Sequence, residues 1–120
     1  MSTTTPSYDL YSELTIKTKD LDTCIKQLRR TGSALAEAEK EYQVKKAEKA
    51  LRLRDEGMPV GLIDLTIRGD KDVAALRFTR DCKKVTYDAN QEAVQAIKLQ
   101  MRLIESQIQR EYGVAGRGTL

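Results

Sequence analysis

The chain contains no histidine, so the commonest general base and the commonest metal ligand are missing. It has two cysteines, Cys24 and Cys82, in no metal-binding spacing, and it has no glycine-rich phosphate loop, GxSxG motif or kinase signature. Carboxylates such as Glu37, Glu39 and Glu41 are two residues apart, and side chains at that spacing do not face one another on a helix. We therefore predict a protein that is not an enzyme and that uses no cofactor or metal.

No run of about 20 apolar residues is present, and residues 1–6 lack the basic and apolar regions of a signal peptide. We expect a cytoplasmic protein that does not contact a membrane. In an antiparallel hairpin the two cysteines would lie far apart, which predicts free thiols with packing roles.

Tryptophan is absent and Phe78 is the only phenylalanine, while 32% of the residues are charged and 40% are hydrophobic. This composition is typical of coiled coils and long helices. A chain of 120 residues corresponds to one domain. The composition therefore favours an all-α, extended molecule.

A helix stop followed directly by a helix start lies midway along the chain. Gly57 suits the position after a helix end, and Pro59 suits the first turn of the next helix. Gly69 then ends a short apolar element, and Asp70 can cap a last helix. We predict a long antiparallel helical hairpin with helices at about 9–56, 59–67 and 70–112, a disordered lead-in at 1–8 and a flexible tail at 113–120. Asp9 or Ser12 would cap the first helix, and Gly113 would end the third.

The apolar spacing predicts how the long helices pack. Seven-residue spacing in the first helix forms a coiled-coil seam, which Ile25, Gly32 and Ala38 partly complete. The seam residues are Leu14, Leu21, Leu28, Leu35 and Tyr42. The third helix has apolar positions at spacings of three and four, namely Phe78, Cys82, Val85, Ala89, Ala93, Ile97, Met101, Ile104 and Ile108. Folding about the connection would place Tyr42 beside Val85, Leu28 beside Leu99 and Leu14 near Gly113.

The third helix carries more apolar surface than one partner helix covers. Ala96, Leu99 and Leu103 lie well around the helix from the row that contains Ile97 and Met101. Because the chain has only one other long helix, we predict a homo-oligomer, a dimer or higher, that forms a helix bundle. A hairpin with exposed leucines is the alternative.

Basic residues are concentrated around the hairpin tip. Residues 45–84 have a net charge of +4, whereas the rest of the chain has a net charge of −1. Such a basic end favours nucleic-acid binding, although acids are interleaved and the same charges commonly serve solubility. The predicted phosphate contacts are Arg54, Arg68, Lys71, Arg77, Arg80, Lys83 and Lys84.

The apolar segment from Val60 to Ile67 has two readings: it closes the end of the bundle, or it presents a contact for a protein partner. Together with the start of the third helix it is similar to a helix-turn-helix, but that third helix is far longer than a recognition helix.

Two segments, AEKALRLRDEGMPV at residues 47–60 and GDKDVA at residues 69–74, resemble small uncharacterised helical proteins of phages and prophages of Gram-positive bacteria. The resemblance continues through Tyr87 and Ile97 and covers about residues 34–112. It implies a genomic setting rather than an activity, and a host-cell cytoplasmic location. It suggests DNA handling in phage replication or recombination, or a phage assembly adaptor or inhibitor of a host or defence protein.

Overall fold

The computed structural model describes residues 6–118, with side chains described for residues 9–113. This range forms three helices, α1 (Pro6–Asp55), α2 (Val60–Arg68) and α3 (Lys71–Gly118), and contains no strand. The all-helical prediction is therefore confirmed. Within the same range, no helix is both long and apolar enough to cross a membrane.

The end of α1 is set by Gly57, whose φ of 88° lies in the left-handed region that glycine adopts without strain. The Gly57 N–H donates to the Arg54 carbonyl, and the Met58 N–H donates to the Leu53 carbonyl, each at 3.0 Å. This pair of bonds is a Schellman motif, and Leu53 and Met58 both pack on the same hydrophobic cluster. The predicted role of Gly57 is confirmed.

The start of α3 is capped by Asp70, as predicted. Its Oδ1 accepts hydrogen bonds from the N–H groups of Asp72 and Val73, both at 3.0 Å. These two donors have no carbonyl partner within the helix, so the carboxylate satisfies them.

The outer helix ends differ from the predicted ones. α1 begins at Pro6, before Asp9 and Ser12, because proline fits the first turn of a helix, where no N–H is needed. α3 continues through Gly113 to Gly118, since one glycine weakens a helix by only about 1 kcal/mol and does not by itself end it. Residues 1–5 of the predicted lead-in and residues 119–120 of the predicted tail lie outside the described residues.

The chain divides into two compact units. The terminal unit comprises Met1–Leu28 and Asn90–Leu120. In its described part, Leu10, Val94 and Ile108 are buried. The rings of Tyr11 and Tyr112 meet with centroids 5.9 Å apart, so the first turns of α1 pack beside the last turns of α3.

The hairpin unit comprises Arg29–Ala89, and it contains all of α2. Tyr42, Ile63, Ile67 and Val73 form its buried cluster, so all three helices contribute to one core. Tyr42 lies more than three turns before the end of α1, yet it shares this cluster with Ile67. α2 therefore packs along the side of the hairpin and not only across its end.

The predicted α1 seam is confirmed: Leu14, Leu21, Leu28 and Leu35 are partly buried and Tyr42 is buried. On α3 the row from Ile97 to Ile108 is at least partly buried, as predicted.

The predicted α3 row is wrong before Ala93. Phe78 and Val85 are each 70% exposed, and Cys82 and Ala89 are exposed as well. The inward positions are instead Val73, Arg80 and Tyr87, spaced by seven, and two of these side chains carry polar groups. An apolar pattern search cannot find such a seam.

Both cysteines are free, as predicted, but Cys82 has no packing role within the described fold.

The alignment of α1 and α3 also differs from the predicted one. Tyr42 lies beside Arg80, five residues before the predicted partner Val85. Lys49 pairs with Asp70 at 3.2 Å and with Asp72 at 3.1 Å. The start of α3 therefore lies beside a residue of α1 that is more than one turn before the end of that helix. The reason is α2, which occupies the side of the last turns of α1.

Candidate nucleic-acid interface

The hairpin unit contains all seven predicted phosphate contacts, and the structure divides them into three groups. Arg80 and Lys84 pair with acidic side chains, Arg77 donates to a backbone carbonyl, and the other four are exposed and have no ion pair among residues 9–113. The exposed four are Arg54, Arg68, Lys71 and Lys83.

Arg80 belongs to the seam between α1 and α3. Its Nη2 lies 2.9 Å from a carboxylate oxygen of Asp81, and its Nη1 lies 3.2 Å from Glu39. Its guanidinium also covers the Tyr42 ring at 4.6 Å from the centroid. Asp81 first, and then Glu39, raise the pKa of Arg80. The same network, led by a hydrogen bond from Gln43, lowers the pKa of Glu39. Arg80 is therefore a partly buried cation whose charge is largely compensated, and not an open phosphate contact.

Lys84 is compensated in a similar way, since its Nζ lies 3.0 Å from the Asp88 carboxylate one turn later on α3. Both side chains are more than half exposed, so this pair is weak and can rearrange. Lys49, which is only 17% exposed, is held more firmly by Asp70 and Asp72. Hydrogen bonds to Asp72 and then Asp70 raise the pKa of Lys49.

The four exposed cations are different. Among residues 9–113, no carboxylate lies within ion-pair distance of Arg54, Arg68, Lys71 or Lys83. Arg54 is the penultimate residue of α1, Arg68 ends α2 and Lys71 begins α3, so three of the four lie near the helix ends around the connections. Lys83 lies further along α3, and we call these four cations of the hairpin unit together the basic end.

A cleft of about 420 Å³ opens in the hairpin unit. It is lined by Tyr42, Lys46, Asp64, Ile67, Arg68 and Arg77, and we call it the basic cleft. Sequence reasoning found Arg68 and Arg77 but missed Lys46. The available signal was its spacing: Lys46 lies one turn after the buried Tyr42, and its Nζ lies 5.7 Å from the centre of that ring.

Apolar side chains are exposed on the same unit. On α2, Ile63 and Ile67 are buried, whereas Leu62 and Leu65 are 50% and 66% exposed on the opposite face. On α3 the exposed Phe78 and Val85 are one heptad apart. We call Leu62 and Leu65 the outer face of α2.

Comparison with protein-family models, curated proteins and solved structures finds no match for this chain. Within the described residues, no group of three or more Cys, Asp or Glu side chains is placed to bind a metal ion.

Proposed function

We propose that this chain is a non-enzymatic nucleic-acid-binding protein, and that the basic end of the hairpin unit contacts the phosphate backbone. The observation that carries this proposal is the set of four exposed cations without an acidic partner in the described structure. A cation without an acidic partner gains electrostatic stabilisation when it contacts a phosphate. A cation that is already paired with a carboxylate gains less. Backbone contact of this kind fixes position without reading sequence.

The resemblance to phage proteins suggests the setting for this activity, which is DNA replication or recombination of a phage. The proposed binding is electrostatic and sequence-independent, because the lysines and arginines of the basic end are proposed to contact phosphates and not base edges. Each neutralised phosphate releases counterions, so the affinity should fall linearly with salt on a logarithmic scale.

The test is fluorescence anisotropy of labelled single- and double-stranded DNA at several salt concentrations. We expect Lys71→Glu with Lys83→Glu to weaken binding and to reduce the slope with salt by about 1 to 2 units, since two phosphate contacts are lost. Lys19→Glu with Lys98→Glu is the matched control, because it changes the net charge equally on exposed positions of the terminal unit. Equal losses in both double variants would show a non-local charge effect, and salt-independent binding would contradict the proposal.

We also propose that the chain assembles as a homo-oligomer. Phe78, Cys82, Val85 and Ala89 are exposed on one face of α3 at spacings of four, three and four, which is the spacing of a coiled-coil seam. A second copy would cover this row with the same row, as two-fold symmetry allows. Light scattering should give at least a dimer, and Val85→Lys should give a monomer that still folds. Gln100→Lys, a similarly exposed α3 change, should leave the mass unchanged.

The outer face of α2 favours a second candidate function, a protein-binding module that acts as an assembly adaptor or as an inhibitor of a host or defence protein. Leu62 and Leu65 are not needed for the core that Ile63 and Ile67 form. If the protein ignores DNA, and if Leu62→Ser with Leu65→Ser keeps the melting temperature while removing a purified partner, this second function replaces the first.

A further inference from the structure

The basic cleft has one cation from each helix of the hairpin unit. Lys46 comes from α1, Arg68 from α2 and Arg77 from α3. Arg68 and Arg77 are nine residues apart, whereas Lys46 lies well before both in sequence, so the packing of α2 against both long helices brings all three to one cavity. Asp64 is the single acid in the lining, which leaves a net charge of +2 around the cleft.

Two of the cations are held in place by neighbours that leave their charge available. Arg77 is partly buried, and its Nη2 donates to the Arg68 carbonyl at 3.2 Å. That acceptor is the last carbonyl of α2, so it orients the guanidinium without neutralising it. Lys46 lies near the Tyr42 ring, and within the described residues it forms no ion pair. The cleft therefore presents positive charge that no described carboxylate pairs with.

We propose that the basic cleft binds a phosphate monoester, as found at a phosphorylated strand end or in a free nucleotide. A monoester carries a charge of about −1.5 to −2 at neutral pH, which matches the charge of the lining, whereas a backbone diester carries about −1. Arginine and lysine donors suit phosphate oxygens. The volume of about 420 Å³ lies in the range of small-molecule sites, about 300 to 1,000 Å³, and Tyr42 and Ile67 supply an apolar wall beside the cations.

This inference rests on the proposed function for the strand-end source, because the basic end would hold the chain that leads into the cleft. The free-nucleotide source is independent of nucleic-acid binding. The two sources can be separated by experiment.

The test measures binding of one short single-stranded DNA with either a 5′-phosphate or a 5′-hydroxyl, and of a nucleoside monophosphate, by calorimetry on the full chain. We expect the phosphorylated strand to bind roughly tenfold tighter, the effect of about one charge-assisted hydrogen bond. The advantage should shrink between pH 7 and pH 5, as the monoester takes up its second proton near pH 6.

Substitutions in the cleft test whether the binding advantage of the 5′-phosphate arises there. Lys46→Gln and Arg77→Gln should each remove most of the advantage of the 5′-phosphate, and Asp64→Asn should increase it. Lys71→Gln with Lys83→Gln is the matched control, because these cations lie outside the cleft lining and should weaken both strands equally. Arg77 also bonds α2, so its variant is checked by thermal unfolding, and Lys46→Gln keeps the test decisive if Arg77→Gln fails to fold.

The outcomes are distinguishable. Equal binding of the two strands overturns the cleft inference and leaves nucleic-acid binding standing. Binding of the nucleoside monophosphate alone, lost in Lys46→Gln, supports the cleft and contradicts the proposed function. No binding of any of the three ligands overturns both.

Discussion

The guanidinium of Arg80 lies 4.6 Å from the centre of the Tyr42 ring, so a cation of α3 covers an aromatic face of α1. Arg80 is an arginine that the sequence places at the basic tip, and the structure places it in the seam. We expect Arg80→Ala to lower the free energy of unfolding by about 1 to 2 kcal/mol, through loss of the cation–π contact and of the pair with Glu39. Urea unfolding measures this loss.

Lys83→Ala is the matched control for that experiment. Lys83 is exposed on the same helix, so its replacement should change stability by less than about 0.5 kcal/mol. If both variants unfold at the wild-type urea midpoint, Arg80 does not contribute to the seam. The comparison also shows why lost DNA binding in an Arg80 variant would not by itself identify a phosphate contact.

The two faces of α2 should respond differently to truncation. Ile67 is 3% exposed and belongs to the core cluster, so Ile67→Ala should cost about 2 to 5 kcal/mol. Leu65, which is 66% exposed on the same helix, should tolerate alanine within about 0.5 kcal/mol. Thermal unfolding of the two variants measures both losses of stability. Similar losses would show that the outer face of α2 is also covered in the folded protein.

Gly32 should be a poor site for alanine although it lies inside a long helix. A Cβ there would lie 3.1 Å from Cε1 of Tyr87, so the ring must move before the usual gain of about 1 kcal/mol over glycine can appear. We expect Gly32→Ala to give no increase in melting temperature. Gly61→Ala, where a Cβ meets nothing within 4 Å, should raise it. A comparable rise in both variants would mean that the Tyr87 ring yields freely.

Stability should fall in acid through Asp70. The N–H of Val73, and then Lys49, lower the pKa of the Asp70 carboxyl. Its contribution to stability is therefore complete above the unfolded-state pKa of about 3.9 and is lost as the pH falls through the lower folded-state value. Asp70→Ala should lower the urea midpoint at pH 7 and flatten its decline below about pH 4. Parallel declines in the two proteins would assign the acid sensitivity to other carboxyls, such as Glu39.

At alkaline pH, stability should be lost as the pH rises. The pKa of Lys49 is raised by Asp72 and Asp70, so its contribution is present below the unfolded-state pKa of about 10.4 and is lost as the pH rises through the higher folded-state value. Lys49→Met should remove this alkaline loss, which urea unfolding between pH 9 and pH 11.5 would measure. An unchanged decline in the variant would show that Lys49 does not cause the loss of stability at alkaline pH.

Local signals predicted the helix boundaries at the connection well, because each depends on a few adjacent residues. Gly57 ends α1 through its own backbone conformation, and Asp70 caps α3 through its own carboxylate. The inward face of early α3 could not be predicted in this way. Arg80 and Tyr87 are accommodated there by tertiary neighbours that include Tyr42, Glu39 and Gly32, which are about 40 to 55 residues away in sequence.

The candidate site shows the same division. The positive character of the region followed from counting charges, but whether each cation is compensated depends on tertiary neighbours. Arg80 is paired with Glu39 across the hairpin, and Lys46 joins Arg68 and Arg77 only because α2 folds back along α1. Composition therefore located the region, and packing selected the residues within it.

The contact between Gly32 and Tyr87 has a consequence for how the chain reaches a single native state. Leucines repeated every seven residues would allow α3 to slide along α1 by a heptad and still find apolar partners. Within the hairpin unit, a slide of seven residues would place the Tyr87 ring opposite Glu39 instead of Gly32, and it would separate Arg80 from Tyr42. The absence of a side chain at Gly32 therefore favours the native alignment of α1 and α3. Alignments shifted by a heptad are less stable, so the folding chain has fewer alternative states of similar free energy.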